Sequence, residues 1–241
     1  MKKIFLISFI FSAVAFSQTL IPKLPQITAS SFLLIDAETN KIIAQQNPEA
    51  STGLASITKI MTSYIVADYL KQGFLNIKDS TTVSEKCWRM EGSRMFIQEG
   101  KKVLIEDLMR GMIIQSGNDA ACALAEHIAG TQEDFASLMN DYAQKMELKN
   151  TNFTNPTGLP NVNHYSTAED IAKLSIVLIN DFPDEYSIYS EKEFTYNDIR
   201  QLNRNSLLWQ DDSIDGIKTG HTRASGYCLV ASSKRADMRL I

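Results

Sequence analysis

Three short motifs in this chain combine residue types that can carry out acyl transfer. Ser56-Ile-Thr-Lys59 is the only S-x-x-K among the 241 residues. Residues i and i+3 of a helix share a face, so the Lys59 amine can reach the Ser56 hydroxyl and take its proton. That role needs a neutral amine, whereas an ordinary lysine titrates near 10.4. Burial, a second cation and the positive end of a helix would each push the value down. The backbone N–H of Ser56, unpaired in a first helical turn, can donate to the oxyanion formed when its own Oγ attacks a carbonyl. A two-residue pattern arises about once by chance in a chain this long, so S-x-x-K alone says little.

Ser116-Gly-Asn118 is the only S-x-N and falls where two helical patterns break, a place from which side chains can project into a cleft. Ser116 can relay a proton, and Asn118 offers a donor and an acceptor suited to a peptide backbone. Asn118 as a simple helix cap is the competing reading. Lys218-Thr-Gly220 follows Ile217 on a strand-like segment, where alternation sends Lys218 and Gly220 to one face and Thr219 to the other. Lys218 can meet a carboxylate and can act as the second cation near Lys59. Gly220 permits close approach of another backbone.

The elements that must hold these motifs follow from periodicity. Phe32 to Asp36 and Ile42 to Gln46 flank Glu38-Thr-Asn-Lys41 as a hairpin. From Ser56 the pattern becomes helical, with Ile57, Ile60, Met61, Tyr64 and Ile65 on one stripe and Gly73 as C-cap. Helices are expected at Leu104 to Gln115 and Asn118 to Ala129, stopped by Gly130. Thr131 with Asp134 starts another to about Leu148, and Thr167-Ala-Glu-Asp170 caps one to about Asn180. Thr151 to Tyr165 reads as a polar loop. Strands return after Glu191, ending in Tyr227 to Ala231 and Met238 to Ile241 around a charged Ser233–Asp237 turn. Strands at both ends around helices predict one α/β (α+β) unit, its sheet mostly antiparallel, with a helical subdomain inserted beside it.

Three such motifs in this order, about 60 and 100 residues apart and each at a fitting junction, are a poor match to coincidence. The set resembles the active-site serine penicillin-recognising enzymes, which include penicillin-binding proteins and serine β-lactamases. Ala55 to Tyr64, Gln115 to Ala120, Gln201-Leu-Asn-Arg-Asn205 and Asp215 to Thr222 are most similar to the low-molecular-mass D-alanyl-D-alanine carboxypeptidases of the penicillin-binding protein 5 and 6 type. The resemblance runs from about Pro22 to Ile241. It implies a DD-peptidase fold with Ser56 as acyl-ester nucleophile, Lys59 as its base and Ser116 as proton relay. Asn118 would clamp the substrate backbone, and Lys218, with Thr219 and Gly220, would line the carboxylate side. His221 would donate its backbone N–H to the oxyanion, while its imidazole could equally be an exposed loop histidine. Arg204 would add positive charge near Lys218.

The implied substrate is the peptidoglycan pentapeptide stem, from which the terminal D-Ala leaves, and β-lactams would acylate the same serine. No metal or organic cofactor is called for. Family members continue into more sheet, a closing helix, a small β-rich domain and an amphipathic membrane anchor. The unit at residues 18–241 is therefore expected to be incomplete at its C-terminal end. Lys2, Lys3, the apolar Ile4 to Phe16 and the small Ala15 and Ser17 read as a signal peptide over residues 1–17. Export to the periplasm follows from that reading, with membrane association through the later anchor.

Composition agrees with a folded enzyme: 44% hydrophobic, 22% charged and a formal charge of −4 leave no basic excess for nucleic acid. Cys87, Cys122 and Cys228 show neither C-x-x-C spacing nor a disulfide framework, and an odd count leaves at least one free thiol. Cys122 reads as core, and Cys87 and Trp88 as part of a packed loop before Gly92-Ser-Arg-Met-Phe96. His127 and His164 have no metal-ligand partners at useful spacing, and Glu169 and Asp170 are explained by a helix dipole. Two other functions remain open: a serine β-lactamase, disfavoured because Gly117 stands where class A enzymes carry Asp, and a non-catalytic peptidoglycan-binding protein with a vestigial site.

Overall fold

The computed structural model describes residues 27–241; the signal-peptide reading of residues 1–17 lies outside them. Strands β1 (Phe32–Ile35) and β2 (Ile42–Gln46) form the expected antiparallel hairpin. The nucleophile segment then departs from the expected helix. Ala55–Thr58 is a 3₁₀ turn, and α1 (Lys59–Lys71) begins only at the lysine. In a 3₁₀ turn residues i and i+3 eclipse, which aligns Ser56 with Lys59 more directly than an α-helix would. Every residue of α1 from Lys59 to Ala67 is buried, the polar Thr62 and Ser63 included. A helix covered on all sides is a central one, and α1 is the pillar of the molecule.

A small hairpin of β3 (Ser80–Thr82) and β4 (Lys102–Leu104) encloses α2 (Glu85–Trp88), whose cap is the Ser84 side chain accepting from the Cys87 N–H. Cys87 and Trp88 are therefore helical, not part of a loop. Elements this short carry too few residues for a period to register, so hydrophobic patterning misses them. Helices α3 (Ile105–Ile113), α4 (Asn118–Ala129) and α5 (Gln132–Lys145) follow, with Gly130 at φ 83° closing α4. The Thr131 and Thr167 side chains accept the N–H groups of Asp134 and Asp170, capping α5 and α6 (Ala168–Asp181) as their spacing predicts. Helix α5 stops at Lys145, short of Leu148, because Glu147 turns left-handed at φ 56°.

A short α7 (Pro183–Tyr186) leads to the hairpin of β5 (Glu193–Tyr196) and β6 (Ile199–Leu202). Strands β7 (Ile214–Thr222), β8 (Gly226–Arg235) and β9 (Met238–Leu240) complete the chain, all antiparallel. The charged turn shrinks to Ala236 and Asp237: Ser233, Lys234 and Arg235 stay in β8, paired with Leu240, Arg239 and Met238. Lys234 and Arg235 are both exposed and Arg235 pairs with Asp211, so a strand end open to solvent carries the charges that polarity alone reads as a turn. Backbone bonds between Ile35 and Ile241 at 2.8 and 3.0 Å, and an Asp36–Leu240 bridge, join β9 to β1. The sheet runs β2-β1-β9-β8-β7 and is antiparallel throughout.

Cys87 and Cys122 form a disulfide between α2 and α4, and Cys228 is free and half-buried. Cys122 is in the core as expected; its partner is invisible in sequence because α2 is. Asp170 does more than face a helix dipole. It is buried and accepts the Asn150 N–H and the Thr151 hydroxyl, each at 2.8 Å, fastening the polar loop to α6.

Candidate active site

The site sits where the start of α1, the α3–α4 junction, the 151–165 loop and β7 converge. Lys59 Nζ lies 3.0 Å from Ser56 Oγ, 2.7 Å from Asn118 Oδ1 and 2.6 Å from the Thr157 carbonyl oxygen. The lysine is wholly buried. Burial first, and the charge of Lys218 second, push it well below the ordinary lysine value against the opposing pull of Asp119. The Asn118 carbonyl and the Thr157 carbonyl can only accept. They take the two hydrogens of a neutral amine and leave its lone pair facing the Ser56 hydroxyl.

Asn118 is the first residue of α4, with Gly117 at the cap position, so capping is not its role. Its Nδ2 donates to the Glu91 carbonyl at 2.7 Å while its Oδ1 takes Lys59. One of the two Nδ2 hydrogens stays available. Ser116, held at φ 65°, turns its hydroxyl to Lys218 Nζ at 3.0 Å. Lys218 also donates to the Thr219 carbonyl at 3.1 Å, and burial followed by the charge of Arg204 lowers it to about 7. Arg204 itself is exposed, its N–H bonded to the Ile114 carbonyl at 3.2 Å.

The alternation expected along β7 is present: Lys218 and Gly220 are buried and Thr219 is half-buried. A Cβ on Gly220 would stand 3.0 Å from Ser56 N and 3.1 Å from the Leu54 carbonyl oxygen. Only glycine lets β7 lie against the serine's own amide. The His221 ring is exposed and packs on Tyr227 with centroids 4.2 Å apart. Ser56, Lys59 and Asn118 thus form one cluster and Ser116 and Lys218 a second, while the side chains of Arg204 and His221 stand at the rim.

A family model for D-alanyl-D-alanine carboxypeptidase, Peptidase_S11, matches residues 18–241. The chain belongs to that family. The D-alanyl-D-alanine carboxypeptidase DacA of Escherichia coli K12 is 47% identical over 231 residues, which are 93% of this chain and 57% of DacA. Penicillin binding protein 5 from Haemophilus influenzae, solved as a crystal structure, aligns with a TM-score of 0.88 at 47% identity, covering 91% of this chain and 65% of that one. Penicillin-binding protein D2 of Listeria monocytogenes, solved in its ampicillin-bound form, aligns with a TM-score of 0.81 at 26% identity over 90% of this chain and 89% of that one. The chain spans little more than half the length of the curated relatives it matches. The DD-peptidase fold implied by the motifs is the fold observed.

Several residues of this carboxypeptidase-family site escape motif reading. Thr157 supplies a carbonyl to Lys59 because Asn155 Oδ1 accepts the N–H groups of Thr157 and Gly158 at 3.1 and 2.7 Å, folding the loop into an Asx turn. The Asn155-Pro-Thr-Gly158 run was the available signal. Asp119, buried beside Asn118, accepts the N–H groups of Met95, Phe96 and Ile97 at 2.9, 2.9 and 3.2 Å. It ties the 91–97 loop, which carries Glu91, to the start of α4. His164 is buried and His127 is exposed.

Proposed function

We propose that this chain carries the catalytic unit of a serine D-alanyl-D-alanine carboxypeptidase that removes the terminal D-Ala from peptidoglycan pentapeptide stems. The observation that supports it most is the Lys59 amine, buried and furnished with two carbonyl acceptors so that its lone pair meets the Ser56 hydroxyl. Ser56 Oγ gives its proton to Lys59 and attacks the penultimate D-Ala carbonyl. The oxyanion is met by the N–H of Ser56 and that of His221. The terminal carboxylate lies toward Lys218 and Thr219, with Arg204 reinforcing the positive charge, and Gly220 lets the strand close on the serine. As the tetrahedral species collapses, the proton taken up by Lys59 passes by way of the Ser116 hydroxyl, held by Lys218, to the departing D-Ala amine. The free Asn118 Nδ2 hydrogen serves a substrate carbonyl, and water then releases Ser56 by the reverse path. The chemistry proposed uses these side chains and backbone N–H groups and calls for no metal or organic cofactor.

A β-lactam should follow the same route, since its amide occupies the place of the D-Ala-D-Ala bond and its ring keeps the leaving group tethered. The ampicillin-bound state of the Listeria relative supports that partner. Residues 1–17 fit a signal peptide for export to the periplasm, and residues 18–241 form the DD-peptidase unit. Among the described residues no helix is long and apolar enough to cross a membrane. None of the described carboxylates bonds Ser56 or Lys59, which disfavours a β-lactamase with a dedicated deacylating carboxylate.

The test is an intact-mass time course with excess benzylpenicillin, with Ser56→Ala alongside. A serine-dependent adduct lasting minutes, together with release of D-Ala from a pentapeptide, is the expected result. Penicillin turnover without a lasting adduct would assign a β-lactamase. Labelling of Ser56→Ala equal to that of the unaltered chain would remove Ser56 from the mechanism.

A further inference from the structure

His164 makes no contact with the reacting groups, yet its hydrogen bonds lead to them. Its side chain is buried, and Nδ1 accepts the Thr154 N–H at 3.0 Å. The ring proton therefore sits on Nε2. Nε2 stands 2.7 Å from Thr58 Oγ1 and donates to it, which commits the Thr58 hydroxyl proton to the Ala55 carbonyl at 2.9 Å. The donors run one way: Thr154 to His164 to Thr58 to Ala55. Burial above all lowers His164 to about 4, so the ring stays neutral and the direction holds at ordinary pH.

Ala55 sits at φ 47°, a left-handed conformation that a residue with a Cβ adopts at some cost. Its carbonyl is confined on a second side by Gly158, where a Cβ would fall 1.7 Å from the oxygen. In a trans peptide the carbonyl and the following N–H point in opposite directions. Fixing the Ala55 oxygen therefore fixes where the Ser56 N–H points. That N–H has no acceptor among the described residues, and its nitrogen faces Gly220 of β7.

We infer that His164 is a positioning residue which, through Thr58, pins the Ala55 carbonyl and so aims the Ser56 N–H at the forming oxyanion. The inference rests on Ser56 being the acyl-accepting serine proposed above.

Thr58→Val breaks the relay with little change of shape, Thr58→Ser keeps the hydroxyl, and His164→Phe removes both ring bonds. Three quantities are read: the benzylpenicillin acylation rate constant, KM for a D-Ala-D-Ala peptide, and inhibition by a peptide boronic acid, whose serine adduct is tetrahedral. Deleting an oxyanion donor outright costs about 10²–10³ in rate, so misaiming one should cost about 10–100-fold. Thr58→Val is expected to acylate that much more slowly and to lose boronate affinity by a similar factor, with KM within about twofold. Thr58→Ser should recover most of the rate, and adding His164→Phe to Thr58→Val should cost no further rate, as for residues acting in series. A Thr58→Val protein that acylates at the unaltered rate, or a Thr58→Ser protein as impaired as Thr58→Val, overturns the inference and leaves the acyl-serine reading standing. Absence of any Ser56 adduct on the unaltered chain overturns both.

Discussion

The Lys218 amine lies 3.0 Å from the Ser116 hydroxyl, both side chains are buried, and 102 residues of chain separate them. This contact closes the gap between the α3–α4 junction and β7. It also places a lysine that titrates near 7 where an anionic substrate terminus would bind.

Binding a carboxylate there favours the protonated lysine, so above pH 7 the ligand must recruit a proton. KM for a D-Ala-D-Ala peptide should rise by up to about tenfold per pH unit between pH 7 and 9, the limit for one linked proton. Lys218→Arg, which stays charged, should flatten that rise. A flat KM for the unaltered protein would reject the assignment. The same depression makes the folded state bind fewer protons than the unfolded one between about 7 and the ordinary value of 10.5. The stability contributed by Lys218 is full above 10.5 and is lost as pH falls toward 7.

Lys59 sets the acid side of the profile. Because burial holds it well below 10.5, acylation should rise with pH along a limb centred well below that figure. Lys59→Ala should slow acylation about 10²–10⁴-fold, the range for loss of a positioned base, while circular dichroism stays unchanged. An acid limb centred near 10 would contradict a neutral amine in the resting protein.

Gly220→Ala tests the approach of β7 to the nucleophile. The new Cβ would press on Ser56 N, the Ala55 Cβ and the Leu54 carbonyl at 3.0–3.1 Å. Misplacements well under 1 Å can cost a large part of a 10²-fold rate factor, so a loss of about tenfold or more in acylation is expected, with melting temperature little altered. Unchanged acylation kinetics would show that β7 and the serine are not held in register.

The Cys87–Cys122 bridge closes a loop of 35 residues that contains Glu91 and the segment bound by Asp119. Its removal in Cys87→Ser/Cys122→Ser should cost roughly 2–4 kcal/mol, read by urea unfolding. Thiol titration of the unfolded, unreduced protein should count one group, Cys228. Three titratable thiols would show that the bridge does not form.

What could be read from the sequence follows the reach of local signals. The caps at Thr131 and Thr167, the start of α4 at Asn118 and the facing of Lys218 and Gly220 are set within a few residues, and the structure carries all of them. The conjunction of Ser56, Lys59, Ser116, Asn118 and Lys218 was legible because the three motifs are spaced as in a known family. Thr157, Asp119, His164 and Glu91 were not. They act through backbone carbonyls, backbone amides or second neighbours, and such roles impose no spacing on the sequence. The 3₁₀ turn at Ala55–Thr58 was hidden for a different reason: its residues satisfy a helical pattern equally well.

The pairing of Ile35 with Ile241 bears on the order of events during synthesis. Strand β1 hydrogen-bonds to β9, so β1 and β2 stay separated from the rest of their sheet until nearly all of the described chain has been made. Contacts so distant in sequence form slowly. A polypeptide whose sheet cannot close early spends longer in synthesis with that sheet unformed.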